Sequence, residues 1–189
     1  LGSGAKTGFS HFPNFGIYAL LAVWPEEESA EQFFQNNSWF AECSTASSNV
    51  YTIYMQTCGV HGKWEGKIPF HKTINQLADR PLAVLTRATI RPSRLLRFWQ
   101  FVHPVSLSLQ QSKNRIFAVG VGELPLIQQA TFSIWENIKA LENFAYHSGL
   151  HSKVVQLTRK ESWYQEDLFA RFHPYKTKGN WNNLNLNLS

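Results

Sequence analysis

The second half of the chain opens with a pattern that is typical of a strand followed by a helix. Residues 82–90, of sequence LAVLTRATI, form a β-type run, which Arg91 and the proline after it close. Ser93 can then cap a helix through residues 94–102, because its hydroxyl can accept a hydrogen bond from a backbone N–H of the first turn. The pattern therefore predicts one βα unit.

The pattern after this helix predicts two further strands, a second helix and a closing strand. The strands fall at residues 116–121 and 130–135, and the latter alternates apolar and polar side chains. Residues 137–147 carry apolar side chains at the spacing of an amphipathic helix, which Gly149 interrupts. Residues 163–172 form the last strand. The order βαββαβ is that of a ferredoxin-like unit.

The first half shows part of the same pattern. We predict a strand at residues 17–24, a helix with an acidic first turn at residues 26–40, and a strand at residues 49–58. A tryptophan ends the corresponding strand of each half, and the next strand follows at the same interval, which indicates an internal repeat. The first half lacks an opening strand and helix, so we expect the natural protein to extend upstream of Leu1 by one βα unit.

These patterns predict an α+β protein with a tandem ferredoxin-like fold of the dimeric α+β barrel type, whose first repeat lacks its opening β-strand and helix. The predicted division is a first half at residues 1–80, a second half at residues 81–175 and an Asn-rich tail at residues 176–189. Two facing sheets of this kind would enclose a ligand cavity. A single mixed sheet is the alternative.

Composition narrows the class of protein. The 189 residues are 43% hydrophobic and 16% charged, which excludes a solvated, disordered chain. The longest apolar run, residues 15–24, is half the length of a membrane-spanning helix. The net charge of +5 is concentrated in the second half, but its basic residues are scattered, so we expect no nucleic-acid partner. With two cysteines, the chain suits the reducing cytoplasm.

Several chemistries are excluded by missing motifs. The chain has no complete GxGxxG sequence, no phosphate-binding Walker loop and no GxSxG nucleophile elbow. Its only aspartates are Asp79 and Asp167, and no carboxylate pair stands at a recognisable catalytic spacing. Hydrolase and kinase functions are therefore not expected, and an enzyme that inserts one oxygen atom of O₂ into a substrate would need electrons from a separate reductase.

A set of motifs along the chain resembles the spheroidene monooxygenase family. The resemblance extends from Gly2 to about Trp181 and rests on these stretches: Tyr18-Ala19-Leu20-Leu21-Ala22-Val23-Trp24-Pro25, Leu85-Thr86-Arg87-Ala88-Thr89-Ile90, Phe98-Trp99, Gly120-Val121-Gly122-Glu123-Leu124-Pro125, Thr131-Phe132-Ser133-Ile134-Trp135, Phe144-Ala145-Tyr146 and Leu168-Phe169-Ala170-Arg171-Phe172. The family comprises haem-containing bacterial enzymes that oxidise acyclic carotenoids to ketones. The resemblance implies a haem cofactor and a monooxygenase reaction.

A haem needs an axial ligand, and histidine is the commonest in oxygen-handling sites. The resemblance points to His151, which follows the Phe144-Ala145-Tyr146 helix and matches a family histidine at that place. A solvent-facing histidine at a helix end is the alternative reading. His147 stands four residues earlier, so an HxxxH pair could hold a non-haem metal instead. Cys58 could serve as a thiolate ligand, although a lone cysteine in an apolar strand usually packs in the core.

The remaining cofactor-binding candidates are chosen by residue type. Trp135, Phe144 and Tyr146 could stack on a porphyrin or polyene, with core packing as the alternative. Arg87 and Arg91 follow one strand to its end, where guanidinium groups could bind haem propionates, with surface ion pairs as the alternative.

These observations together predict a haem-dependent monooxygenase that oxygenates a hydrophobic, carotenoid-like substrate with O₂. The expected partners are that substrate, an external electron donor such as a ferredoxin or reductase, and the membrane surface from which a carotenoid would come. The alternatives are a haem or lipophile carrier without oxygenase activity, and a cofactor-free interaction domain.

Overall fold

The computed structural model of the chain describes these residues: 2–3, 12–112, 114–124, 126–147, 149–181, 184, 186 and 188. Within the helices and strands, only the backbone is described for Ser3, Gln110, Tyr146, His147, Leu150 and His151. All structural statements below refer to this part of the chain.

Seven strands form one antiparallel sheet. They are β1 Gly2–Ser3, β2 Pro13–Asn14, β3 Tyr51–Gly62, β4 Leu82–Ile90, β5 Arg115–Leu124, β6 Gln128–Trp135 and β7 Tyr164–Gly179. Their order across the sheet is β2-β1-β5-β6-β4-β7-β3. The helices are α1 Glu27–Asn36, α2 Ser38–Ala46, α3 Leu95–Gln111, α4 Ile138–Glu142 and α5 Gly149–Lys160.

The second half is a complete ferredoxin-like unit. Strands β4 to β7 stand in the order β5-β6-β4-β7, with α3 between β4 and β5 and with α4 and α5 between β6 and β7. This is the βαββαβ order that the sequence predicts, so the α+β, ferredoxin-like class is confirmed. A short π-helix, Asn143–His147, lies between α4 and α5, close to the interruption predicted at Gly149.

The central strand β4 explains how the two faces of this sheet are filled. Leu82 and Val84 point to one face and Ala83 and Leu85 to the other, and all four are at most 5% exposed. A strand buried on both faces needs a nearly continuous apolar run, which is what its sequence provides.

Two hydrophobic clusters lie on the two faces. The helix-side cluster contains residues of the sheet together with Leu109 of α3 and Ala140 of α4: Cys58, Leu82, Val84, Leu109, Ala118, Trp135 and Ala140. The opposite-side cluster consists of Phe70, Ala83, Leu85, Ala130, Ile134, Leu168, Ala170 and Phe172. Leu186, from the C-terminal tail, packs against the opposite-side cluster, and Trp181 meets Phe117 edge to face at 5.9 Å.

The first half differs from its predicted form at one strand. Residues 17–24 lie in no strand, and Tyr18 and Val23 are 74% and 62% exposed, so the strand predicted there is wrong. A strand needs a neighbour for its backbone N–H and C=O groups, and no described segment forms a ladder with this one. The predicted helix forms as α1 and α2, which break at Asn37, whose side chain accepts a hydrogen bond from the Phe40 N–H.

The first half contributes one long strand to the sheet of the second half. β3 pairs with β7 along its whole length, and among the described residues this pairing takes the place of a second, facing sheet. The ladder closes at Gly62, whose φ is 85° and where a Cβ would lie 2.2 Å from the carbonyl oxygen of Asp167. At its other end β7 runs to Gly179, past the predicted start of the tail at residue 176.

Candidate binding site between the sheet and the helices

One row of residues on the helix side of the sheet is exposed at its β3, β7 and β4 positions, half-buried at Thr131 and buried at Gly120. Direct cross-strand pairing joins His61 to Phe169, Phe169 to Thr86, Thr86 to Thr131, and Thr131 to Gly120. Because directly paired residues point to the same face, these five line one band across the sheet. We call this band the transverse groove.

The exposure of Thr86 shows that the groove is open. Val84 and Ala88, its neighbours on the same face of β4, are 2% and 5% exposed, whereas Thr86 is exposed and Phe169 is 37% exposed. In a two-layer fold the helices ordinarily cover the central strand. The helices therefore stand away from the sheet at this level and leave room for a ligand.

The floor of the groove is small and neutral. Thr86, Thr131 and Gly120 occupy three adjacent strands, and none of them carries a bulky side chain or a formal charge. Such a floor lets a flat or extended ligand approach the backbone closely, with two hydroxyl groups available as hydrogen-bond donors. The groove is suited to an apolar, planar or polyene body.

An aromatic pair adjoins the groove along β6. The rings of Trp135 and Phe144 have centroids 5.0 Å apart, and the Trp135 Nε1–H donates to the Ser133 hydroxyl at 3.0 Å. Ser133 separates Trp135 from Thr131 on the same face of the strand. Phe144 lies in the π-helix Asn143–His147, a form of helix that is frequent at functional sites. The structure thus brings together two of the predicted cofactor-binding residues, but Trp135 is 1% exposed and belongs to the helix-side cluster, so the predicted cofactor contact of this pair stays a prediction.

Arg87 lies on the other face of the sheet. Its side chain is 1% exposed and forms salt bridges with Glu123 at 2.9 Å and Glu166 at 3.1 Å. The guanidinium also stacks on the Trp64 ring, 4.7 Å from its centroid. The sheet separates Arg87 from the groove, so its predicted role as a cofactor ligand stays a prediction that would require a ligand on the opposite side.

Glu166 ties a neighbouring turn to this ion pair. Its carboxylate accepts hydrogen bonds from the backbone N–H groups of Glu65 and Gly66, both at 2.7 Å. The Gly66 N–H, then the Glu65 N–H and the charge of Arg87, hold the pKa of this carboxyl below its ordinary value. The four groups form a structural link between the turn after β3 and the sheet.

Arg91 lies at the surface where β4 ends. Its Nε donates to the carbonyl oxygen of Tyr164 at 3.1 Å. It borders a shallow depression of about 220 Å³ that is also lined by Thr158, Arg159 and Asp167. Burial raises the pKa of the Tyr164 phenol in this wall to about 12. Arg91 is therefore placed neither with Arg87 nor in the groove, and its predicted role stays a prediction.

The predicted axial ligand is placed only by its backbone. His151 is the third residue of α5, and Tyr146 and His147 belong to the π-helix before it, while the side chains of all three lie outside the described residues. In the part of the chain that is described, no three His, Cys, Asp or Glu side chains are grouped so as to hold a metal ion. The assignment of His151 stays a prediction, as does that of Tyr146.

Cys58 and His173 are part of the packing on the helix side. Burial raises the pKa of the Cys58 thiol, and its Sγ lies 3.4 Å from the Gln76 Oε1, so the neutral thiol is favoured over a thiolate ligand. The ring of His173 accepts a hydrogen bond from the Leu77 N–H at Nε2 and donates from Nδ1 to the Pro81 carbonyl oxygen. Both residues fix the connection between β3 and β4.

Sequence reasoning missed most of the groove, namely Thr86, Phe169, Thr131 and His61, and also Arg171, which lies beside it. The sequence signal for the groove was Thr86, a polar residue that follows the apolar start of strand β4 and lies on the face opposite to Arg87.

No described helix is long and apolar enough to span a bilayer.

Comparison with known proteins identifies close relatives in sequence. No protein-family model matches the chain. Spheroidene monooxygenase of Cereibacter sphaeroides is 37% identical over 181 residues, which are 95% of this chain and 56% of that protein. The chain thus spans little more than half of that relative. Spheroidene monooxygenase of Rhodobacter capsulatus is 32% identical over 95% of this chain and 76% of its own length.

Solved structures give more distant resemblances. A monooxygenase structure from Fusobacterium nucleatum superposes with a TM-score of 0.49 at 10% identity, covering 83% of this chain and 69% of that one. A monooxygenase structure from Lactobacillus acidophilus gives a TM-score of 0.46 at 7% identity, covering 80% and 67%.

The family assignment therefore rests on the sequence relatives. The spheroidene monooxygenase of Rubrivivax gelatinosus is 30% identical over 96% of this chain and 69% of its own length. Two relatives at or above 30% identity are thus matched over more than two thirds of their length, with nearly all of this chain aligned. On these grounds the chain belongs to the spheroidene monooxygenase family.

Proposed function

We propose that the protein is a haem-dependent monooxygenase that oxygenates a hydrophobic, carotenoid-like substrate with O₂ and an external reductant. Membership of the spheroidene monooxygenase family supports the reaction class. The single structural observation that carries the proposal is the open helix-side face at Thr86 and Phe169. It offers a neutral, partly aromatic space on a rigid sheet.

The residues of this face are of the types that contact a porphyrin in haem proteins, namely aromatic and small neutral side chains. Trp135 is 1% exposed and backs the half-buried ring of Phe144, which offers an aromatic surface, and the small floor residues Thr86 and Thr131 carry no bulky side chain against a planar ring. We assign the axial ligand to His151 and a further aromatic contact to Tyr146. When bound, the haem would supply O₂ activation, which none of the described side chains can perform alone.

The chain's own residues would bind and orient the substrate. The groove contains no formal charge along Phe169, Thr86 and Thr131, so it can hold a polyene without burying an unpaired ion. The exposed ring of Phe169 offers a stacking surface, and the threonine hydroxyls can donate hydrogen bonds to an oxygenated product. Exclusion of water by a bound apolar substrate would keep the reaction space dry.

The products follow from the balance of the reaction. Each hydroxylation consumes one O₂, two electrons and two protons, and converts a C–H bond to C–O–H while releasing one water. A second hydroxylation at the same carbon gives a geminal diol, which loses water to form a ketone. Because the chain has no flavin or nicotinamide fingerprint, the electrons would come from a ferredoxin or a reductase. A carotenoid would reach the cytoplasmic protein from a membrane surface.

Titration with haemin tests the proposal. We expect a shifted Soret band for the wild-type protein, loss of that shift for His151→Ala, and a weakened complex for Phe144→Leu. His103→Ala, which removes an exposed histidine of α3, is the matched control and should leave the spectrum unchanged. The absence of a Soret shift in the wild-type protein would refute haem dependence.

A second assay separates catalysis from binding. With O₂, a ferredoxin-based reducing system and an acyclic carotenoid in detergent, the haem-loaded protein should form an alcohol or a ketone that mass spectrometry detects. Haem binding without product would favour the alternative, a haem or lipophile carrier that lacks oxygenase activity. A colourless protein that binds neither haem nor polyene would favour an interaction domain.

A further inference from the structure

The side chain of Arg171 packs on the backbone of Gly59 beside the transverse groove. It lies in β7 between Gly59 of β3 and Val84 of β4, and it shares the helix-side face with Val84. Its guanidinium lies over Gly59, where a Cβ would come within 3.0 Å of Nη2 and 3.1 Å of Nε. A Cβ at position 59 would therefore crowd the guanidinium and require it to shift by a few tenths of an ångström.

Arg171 has no ion-pair partner among the described residues. The ion pairs among the described residues involve Arg87, Arg97, Lys176 and Lys178, and Arg171 belongs to none of them. Arg171 is half-buried, so its guanidinium keeps access to solvent and to a ligand. The contrast with Arg87, which has two carboxylate partners, is direct.

The groups around Arg171 favour an anion. His61 lies on the same face of β3 as Gly59, two residues further along, and is exposed. The positive charges of Arg171 and Lys72 both act on the buried thiol of Cys58, which places Lys72 near the same corner. The acid on the same face of β7 is Asp167, four residues away, and the exposed ring of Phe169 lies between the two.

We propose that Arg171, seated on Gly59, binds the carboxylate of a ligand whose apolar body lies along the transverse groove. A guanidinium fork matches a carboxylate with two parallel hydrogen bonds, and the neutral floor from Phe169 to Thr131 matches an apolar body attached to it. If the proposed function is correct, on which this last step rests, the carboxylate is a haem propionate, and Arg171 fulfils the role first assigned to Arg87 and Arg91.

Binding of 1-pyrenebutyrate, compared with 1-pyrenebutanol, tests the inference without haem. The two probes share a flat apolar body and differ in the carboxylate, and pyrene fluorescence reports binding. The wild-type protein should bind the carboxylate at least about tenfold more tightly than the alcohol, as one charge-assisted hydrogen bond would give. Arg171→Gln should abolish this preference, and Arg171→Lys should restore part of it.

Two further variants guard against a change in folding. Gly59→Ala keeps the charge but crowds the guanidinium, so it should reduce the preference for the carboxylate while the melting temperature stays close to that of the wild type. Arg94→Gln, which removes an exposed arginine after β4, is the matched charge control and should bind both probes as the wild type does. An unchanged carboxylate preference in a folded Arg171→Gln variant would overturn the inference.

Haemin and its dimethyl ester then identify the ligand. A loss of affinity on esterification in the wild type, absent in Arg171→Gln, would support a propionate at Arg171. Equal binding of haemin and its ester to both proteins would overturn the assignment of the carboxylate to a haem propionate and leave the proposed function standing. Binding of pyrenebutyrate that depends on Arg171, together with no binding of haemin, would refute haem dependence and support the carboxylate site alone.

Discussion

Arg87 and Arg171 lie on neighbouring strands and point to opposite faces of the sheet. Arg87 shares its face with Leu85 of the opposite-side cluster and is paired with Glu123 and Glu166, while Arg171 shares its face with Val84 of the helix-side cluster. One guanidinium therefore has its counter-charges within the protein, and the other has none among the described residues. Arg87 is thus held by the protein's own acids, and Arg171 is the guanidinium that we propose for a ligand.

Replacement of Arg87 should destabilise the protein without affecting the groove. Arg87→Gln leaves Glu123 and Glu166 without their cation and removes the contact with Trp64, so we expect the free energy of unfolding to fall by about 3 kcal/mol. Urea unfolding followed by tryptophan fluorescence measures the change. Binding of pyrenebutyrate per folded molecule should stay at the wild-type level, and a selective loss of binding would show that Arg87 contacts the ligand.

A bulky side chain in the transverse groove should weaken ligand binding without lowering the free energy of unfolding. Thr86 is exposed, so Thr86→Trp adds a ring in open space, whereas the same change at a buried position would overpack the core. We expect affinity for 1-pyrenebutyrate to fall at least about tenfold, the loss that follows when binding weakens by about 1.4 kcal/mol. Thr86→Val, which keeps the size, should bind nearly as well as the wild type. Equal affinity for all three proteins would place the ligand elsewhere.

The docking of α1 should weaken in acid. Glu31 of α1 pairs with Lys178 at 2.6 Å and Lys176 at 3.1 Å and accepts a hydrogen bond from the Tyr54 hydroxyl. Lys178, then Lys176 and Tyr54, lower the pKa of this carboxyl from 4.5 to about 2. A depressed carboxyl pKa stabilises the folded state above the unfolded value, and this contribution is lost as the pH falls from about 4.5 to about 2.

Melting temperatures measured against pH test this cluster. Glu31→Gln should melt a few degrees below the wild type between pH 5 and pH 9, and the two curves should converge towards pH 2. The ion pairs with Glu27 and Glu31 raise the pKa of Lys176, so their contribution is present below pH 10.5 and is lost above it. Glu42→Gln, at an exposed position of α2, should follow the wild type throughout. Parallel curves down to pH 2 would contradict the assignment.

The two cysteines should differ in reactivity. Cys43 is exposed and Cys58 is buried, where loss of solvent raises the pKa of the thiol and disfavours the reactive thiolate. A disulfide reagent at pH 8 should therefore titrate one thiol in the native protein and two in guanidinium chloride. Cys43→Ser should leave no fast-reacting thiol, and a fast reaction in that variant would show that Cys58 is accessible.

Much of the second half could be predicted because its patterns agree with its packing. The strand predicted at residues 82–90 has the observed bounds. It begins with a run of apolar residues, which is typical of a central strand, and the Arg91-Pro92 pair ends it. The helix after it was predicted to end at residue 102 but runs to Gln111, because α3 continues through Pro104. A proline interior to a helix costs one hydrogen bond, and packing of the helix on the sheet can offset that loss.

The first half and the candidate site could not be predicted in the same way, because both depend on contacts between elements that are distant in the sequence. The apolar run at residues 17–24 is typical of a buried strand, but pairing requires a neighbour, which no local pattern can supply. The groove is likewise a property of three dimensions, because Thr86 is exposed only through the distance of the helices from the sheet. Arg87 and Arg171 carry the same side chain, and only the register of β4 and β7 assigns them to different faces.

The pairing of β3 with β7 determines how the two halves are held together. Eleven residue pairs, from Tyr51 with Gly179 to Gly62 with Leu168, join a first-half strand to the last strand of the ferredoxin-like unit. A chain cleaved in the exposed turn at residues 78–80 would therefore retain its ladder, and its two fragments would stay associated without a covalent bond. Because this boundary between the halves is a hydrogen-bonded ladder, we expect the two halves to unfold in one cooperative transition.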